Sequence, residues 1–587
     1  MNLRADHIYR TFLRLTRRLS NSQIMMLLAV VVGVLAGVGT YLFEMLLYGI
    51  KYGLTNWFPV DSAHILFLIY PAVGIILATL FVKYIVRDNI SEGVTRVLYA
   101  MSSRNSRIAG HNCWTSIVGG ATTIGFGGSV GPEAPIVLTG AAIGSNVGRI
   151  ARLNYKHTTL LLCCGAGAAL AAIFKAPITG VVFVLEILML DITAGSVIPL
   201  LIASITATTM AFMLRGFDPI LAVTLAPADA FELWQIPLFI LLGVCCGLMS
   251  WYFTSTNLRV STLFKKIDKQ YKKWIVGGTV LGVLIFIFPP LYGEGYEGFT
   301  SLMHGQAEKL FDNSLFYRFS DIDWVVILFV IATMFFKVIA MASTNAAGGV
   351  GGTFAPSLFV GAFTGASIAL LCNAFFDWDV SIVSFTLVGM AGVMSGVMKA
   401  PLTSIFLIAE LSNGYGLTAC ISLAFFNDTA TTAIYTKQLR LRGELLTHDK
   451  DQSVFVFLKL DELMETDFLR IRENFTLGDI VHIISTARRN IFPVIDNFGH
   501  LLGIIQLDDL REDMFKREKY GHPISDYMIQ PPDKILEHEA IQSVVQKFED
   551  KHTWMLPVVD KQNRYMGFIS KSRILNAYRE QLVKIQQ

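Results

Sequence analysis

Glu133 lies in the stretch GGSVGPEAP, residues 127–135, a carboxylate set among glycines and between two prolines. The flanking segments are apolar enough for a bilayer, where a charge near the centre costs about 2.5–3.5 kcal/mol on insertion scales, so its presence there points to function. Interrupted helices leave unpaired N–H groups at their starts, carrying about half a positive charge, and such ends bind anions without lysine or arginine. Glycine lets the backbone approach closely, and proline at a first helical position forgoes only a hydrogen bond that was missing anyway. A second stretch of the same kind, GGVGGTFAP, ends at Pro356. The spacing therefore predicts helix starts directed at an anion, one of them carrying a titratable acid. No HExxH and no nucleophile paired with a base in a comparable constellation is read in the apolar segments, so an enzyme is not expected.

The elements that must position these residues are membrane spans. Of 587 residues, 53% are hydrophobic and only 16% charged, against roughly 25% charged in ordinary soluble domains. Apolar runs of spanning length recur from about residue 24 to 430, among them IMMLLAVVVGVLAGVGTYLFEMLL from Ile24 and WVVILFVIATMFFKVIAMA from Trp324. The leading residues 1–23 carry Arg4, Arg10, Arg14, Arg17 and Arg18 without a cleavage site. They read as a retained basic helix, cytoplasmic by the positive-inside rule. A net charge of +3 and the lack of a basic stripe interleaved with aromatics exclude a nucleic-acid partner. The seven cysteines sit in apolar surroundings with no CxxC, so packing is expected of them and no metal site or disulfide framework.

The chain repeats itself twice over. KAPITGVVFVLEI from Lys175 matches KAPLTSIFLIAEL from Lys399, with the same interval from proline to glutamate (Pro177 to Glu186, Pro401 to Glu410). The glycine-rich stretches ending at Pro135 and Pro356 keep the same order and nearly the same offset, so the membrane part reads as a duplicated half. Repeated halves with Gly/Pro interruptions in corresponding places mark a transporter's binding site near the midplane. Glu186 and Glu410 are expected to end parallel apolar helices as satisfied structural carboxylates. After about Tyr435 the composition turns charged, giving a linker over 437–459. A soluble α/β module follows, in which FPVIDNFGHLLGIIQLDDL (492–510) and LPVVDKQNRYMGFISKSRI (556–574) each read as strand, polar turn, strand and helix start.

With these motifs in order, the chain resembles the CLC family of chloride channels and proton-coupled chloride transporters, followed by a tail similar to a tandem CBS-domain pair. The resemblance implies an all-α polytopic membrane domain of two repeated halves with broken helices over 24–436, and α/β CBS domains over 460–516 and 524–583. The family's gating motif G-(K/R)-E-G-P is matched imperfectly by GPEAP, Gly131 to Pro135, and its G-x-F-x-P motif by GTFAP, Gly352 to Pro356. It implies that Glu133 is the gate, whose ionised carboxylate occupies an anion position and whose protonated form leaves it. Backbone N–H groups of Thr353 and Phe354 hold the central anion beside the hydroxyl of Tyr435, in AIYTKQL, and Ala134 belongs to the same lining. A homodimer with a separate pore in each subunit, and a multi-pass protein of a bacterial plasma membrane with both termini cytoplasmic, also follow from the resemblance.

Four departures from the family pattern bear on function. The G-S-G-I-P region corresponds to ISEGVTRV, where Gly93 matches a glycine and Glu92 replaces the coordinating serine. The inner glutamate usual in proton-coupled members is Ile187 here, which cannot relay a proton and favours a passive voltage- or pH-gated channel. An H+/Cl− antiporter with another proton route, and a nucleotide-sensing membrane regulator, are the alternatives. The stretch NDTATT, 427–432, puts Asp428 where the final span should be apolar. In the tail, the Ser/Thr and Asp of a nucleotide-binding CBS repeat are kept by halves, as Gln506 with Asp509 and Ser570 with Arg573. Adenine nucleotide binding and a purely structural tail both stay open; no other cofactor is expected beside chloride as substrate.

Overall fold

The computed structural model describes residues 20–56, 63–88, 90, 93–103, 106–188, 193–216, 232–320, 322–376, 378–412, 460–484, 487, 489–537, 539, 541–551 and 553–577. The expectations placed on the five leading arginines, Glu92, Asp428, Tyr435 and the 437–459 linker lie outside them. The chain divides into two units, Met1–Glu444 and Leu445–Gln587.

In the first unit α1 is Asn21–Asn56, α2 Ala63–Leu80, α3 Gly93–Ser103, α4 Asn112–Gly125, α5 Glu133–Ile150, α6 Tyr155–Phe174, α7 Pro177–Glu186 and α8 Ala194–Arg215. They are followed by α9 Ile236–Lys265, α10 Gln270–Ile287, α11 Tyr296–Met303, α12 Asp323–Ala347, α13 Phe354–Phe376, α14 Ile382–Met398 and α15 Pro401–Leu411. Among the described residues seven helices are long and apolar enough to cross a membrane. The start of α1 is set by a capping box: Gln23 N donates to Ser20 Oγ and Ser20 N to Gln23 Oε1. Large apolar side chains such as Met45, Leu248 and Leu328 stay exposed, as lipid contact allows.

The duplication governs the packing. α6 is the deepest span, with 89% of its most apolar window buried, because the sequence CCGAGAALAA lets neighbouring backbones come close. A Cβ on Gly140 would stand 2.1 Å from the carbonyl oxygen of Gly165, and one on Gly165 2.0 Å from that of Gly140. The second half repeats this crossing between α13 and α14, where a Cβ on either Gly361 or Gly389 would stand 2.3 Å from the other's carbonyl oxygen. Each of α6 and α14 ends in a lysine in the left-handed region, Lys175 at φ 53° and Lys399 at φ 56°, followed by an alanine N-cap and a proline opening the next helix. The KAP motif is thus a helix-to-helix corner used twice.

The acids closing those next helices exchange caps. Glu410 accepts from Ile178 N at 3.0 Å, from Thr179 N at 2.8 Å and from the Thr179 hydroxyl at 2.5 Å. Glu186 accepts from Leu402 N at 3.0 Å, from Thr403 N at 2.7 Å and from the Thr403 hydroxyl at 2.6 Å. Each carboxylate satisfies orphan donors at the start of the other helix, which bears out their reading as satisfied carboxylates. The expected parallel arrangement is corrected: C-terminus meets N-terminus at both ends, so α7 and α15 run antiparallel, as an inverted repeat requires. Glu410→Ala leaves the N–H groups of Ile178 and Thr179 without this acceptor. We expect a loss of about 1–3 kcal/mol, measured as a lower melting midpoint in detergent, and less loss for Glu410→Gln.

In the second unit β1 (Ile471–Arg472), β2 (Ile491–Ile495) and β3 (Leu501–Gln506) form one sheet, and β4 (Ile535–Leu536), β5 (Met555–Val559) and β6 (Tyr565–Ser570) another. In each, the first strand pairs parallel with the second and the second antiparallel with the third. The registers coincide, down to an irregularity at Val494/Ile495 and at Val558/Val559. Helices α16 (Leu477–Ile484) and α17 (Ile541–Asp550) pack on the sheets through Leu477, Ile480, Val544 and Phe548. Between the repeats, Leu501 N donates to Asn563 O and Tyr565 N to Gly499 O, both at 2.9 Å, over a shared cluster including Ile504, Tyr565 and Phe568.

Candidate anion site

The two glycine-rich loops of the repeat meet. Gly131 N donates to Gly352 O at 3.0 Å and Gly352 N to Gly131 O at 2.7 Å, a two-bond antiparallel bridge between the halves. The approach is close on both sides: a Cβ on Gly131 would lie 2.1 Å from Glu133 Oε2, and one on Gly351, beside the bridge, 2.2 Å from Val130. Directly after the bridge α5 starts at Glu133 and α13 at Phe354, with Pro135 and Pro356 in their first turns, where a missing N–H breaks no helical bond. α3 arrives at the same place, since a Cβ on Gly93 would stand 1.9 Å from Ala134 O. Three helix starts therefore converge, each with first-turn N–H groups that find no acceptor within the helix.

Of the residues singled out in the sequence, Glu133, Ala134, Thr353 and Phe354 are all buried at this junction, Glu133 with 2% of its surface exposed. Glu133 Oε1 accepts from the hydroxyl of Tyr296 at 3.2 Å. Its Oε2 has no hydrogen bond of good geometry, although the backbone N–H groups of Glu133 and Ala355 act on the carboxylate. The hydroxyls of Ser129 and Thr353 are buried without a partner as well. Buried polar atoms are nearly always satisfied, so unsatisfied ones gathered where three helix starts point call for a polar or charged occupant. The Phe354 ring packs tilted against Phe174 at 5.4 Å.

At the far end of α7, Ile187 is buried. The acid beside it, Glu186, is engaged by Leu402 and Thr403. In the tail, Gln506 and Asp509 are exposed. Ser570 is committed within the protein: its hydroxyl donates to Glu465 at 2.7 Å and accepts from Arg573 N at 3.2 Å. Glu465 is in turn paired with Arg489.

Sequence reasoning passed over Tyr296, which donates to Glu133, and Glu294 and Lys337, whose charges act on it. The signal for Lys337 was present, as a lone cation in the apolar run from Trp324, where an ionisable residue is by default functional. For Tyr296 it was the YGEGYEG stretch, a third Gly-rich break between apolar segments.

The fold and the site define a polytopic membrane transport protein built as an inverted repeat around converging helix starts. The voltage gated chloride channel family model matches residues 73–431 and CBS domains match 460–516 and 524–580; the chain belongs to the voltage gated chloride channel (CLC) family. The H+/Cl− exchange transporter ClcA of Vibrio cholerae is 27% identical over 405 residues, 66% of this chain and 82% of that protein. The chloride channel protein CLC-e of Arabidopsis thaliana is 24% identical over 570 residues, 84% and 76% of the two chains. Among solved structures, a eukaryotic CLC transporter aligns with a TM-score of 0.60 at 16% identity, covering 94% of this chain and 97% of its own. A slow cyanobacterial Cl−/H+ antiporter aligns at 0.61 and 22% identity, covering 71% and 97%.

Proposed function

We propose that this protein passes chloride across the membrane as a passive channel gated by Glu133. The observation that carries the reading is the bridge between Gly131 and Gly352, which brings the Glu133 carboxylate to the convergence of three helix starts. An ionised carboxylate and a chloride compete for the same partial positive ends, so protonating the acid frees the position for the anion. The central anion is held by the N–H groups of Thr353 and Phe354, with Ala134 and Gly93 lining the approach and the Tyr435 hydroxyl completing it.

Passive conduction is favoured by the inner end of α7. Ile187 has no proton to give, and Glu186 is engaged by two N–H groups and a hydroxyl of α15. Exchange of chloride for protons by another route is the second reading, supported by the likeness to proteins named as H+/Cl− exchange transporters. The same reading pairs two copies, each with its own pathway, and keeps both termini in the cytoplasm of a bacterial plasma membrane. It gives the tail a structural part, because Ser570 already has its partners.

The test is the reversal potential of purified protein in liposomes under crossed chloride and proton gradients. A potential set by the chloride gradient alone is expected. Displacement by the proton gradient would replace the channel by an exchanger, and absence of anion current would overturn transport itself.

A further inference from the structure

Between α10 and α11 the chain forms a strap, Tyr292–Gly293–Glu294–Gly295–Tyr296, laid over the loop that carries Glu133. At one end the Tyr292 hydroxyl donates to Gly125 O at 2.9 Å, at the close of α4. At the other, Tyr296 opens α11 and its hydroxyl donates to Glu133 Oε1 at 3.2 Å. The glycines between take left-handed conformations, φ 62° and 90°, and a Cβ on Gly295 would fall 2.6 Å from the Phe359 ring, so the strap arches against α13 without side chains at these points. Lys337, fully buried on α12, donates to Gly293 O at 2.9 Å and lies 4.8 Å over the Phe359 ring. Glu294 pairs with Lys51 on α1 at 3.5 Å. Four helices thus hold five residues, the last of which sets its phenol on the carboxylate.

We infer that Tyr296 is a positioning residue for the gate: its hydroxyl holds the ionised Glu133 carboxylate in place beside the helix starts, and the strap pinned by Lys337 and Lys51 fixes that hydroxyl. The inference rests on the reading of Glu133 as the gate. Among the described residues, the titratable and charged groups that act on the carboxylate are Tyr296 on α11, Glu294 in the strap and Lys337 on α12. From α13 it meets the backbone of Ala355, and α3 abuts the turn it starts from at Gly93. A hydrogen bond donated to the ionised form favours that form. Removing it eases protonation, so the gate opens at higher pH.

Tyr296→Phe deletes one oxygen and leaves the ring packing on Phe299. Chloride flux from liposomes, measured against pH, is expected to keep its acid plateau while its midpoint moves up by about one pH unit, a tenfold change in proton affinity. In a Glu133→Gln background the same substitution is expected to leave the pH profile unaltered. An unmoved midpoint in Tyr296→Phe, with a flat profile in Glu133→Gln, overturns the role of Tyr296 and leaves the gate standing. A midpoint that Tyr296→Phe still shifts in the Glu133→Gln background means that the tyrosine acts elsewhere, and also overturns the inference. A pH response that survives Glu133→Gln unchanged overturns the gate and the inference with it.

Discussion

Glu133→Gln is expected to yield a protein whose chloride flux in liposomes no longer depends on pH. Glutamine has nearly the shape of the carboxylic acid, can still accept from Tyr296 and cannot ionise. In the unaltered protein the ionised form stays close to partial positive ends, which favour it, and within reach of the Tyr296 hydroxyl. Flux therefore falls as pH rises and the acid loses its proton, by about tenfold for each unit of pH beyond the midpoint until leak dominates. The variant stays at the acid plateau throughout. Flux measured between about pH 5 and 8 decides the matter: a variant that keeps the slope of the original protein removes Glu133 from the pathway.

Gly165→Val is expected to abolish folding. Its Cβ would lie 2.0 Å from the carbonyl oxygen of Gly140 and 3.2 Å from the backbone nitrogen of Gly144. Overpacking costs about 1–3 kcal/mol where side chains can yield. Here the obstacles are main-chain atoms of the helix that begins at Glu133, so α5 and α6 must separate and carry the site apart. No monodisperse peak is expected on gel filtration after detergent extraction. Gly389→Val should fail alike, because it meets Gly361 as Gly165 meets Gly140. Gly49→Ala, on α1 with nothing within 4 Å of the added atom, should elute as the original. A normal peak for Gly165→Val would mean that the close crossing is dispensable.

The repeat, the two glycine-rich loops and the acid between them were legible because each is a local signal: a residue type that is costly in its surroundings, recurring at a fixed offset. The KAP corners and the crossings at Gly140 and Gly361 obey the same offset, so the duplication read in two motifs extends to the packing. The direction of the halves was not legible. Pro177 to Glu186 and Pro401 to Glu410 have identical spacing whether the helices run together or opposed, and only the exchanged hydrogen bonds settle it. The YGEGYEG break stood in the sequence, but its contact with the acid did not, since Tyr296 comes to Glu133 from 163 residues away through a strap held by α1, α4, α12 and α13. In the tail the repeat was plain, yet the fate of Ser570 depends on Glu465, which lies outside the repeated stretch.

Because Glu186 and Glu410 each close the partner helix's beginning, neither half of the membrane domain is self-sufficient. Severed and made alone, each would show two flaws at once, an acid with nothing to accept from and a row of bare amides. The two copies of the ancestral unit are in that sense obligate neighbours: a substitution near either glutamate is felt first in the opposite copy.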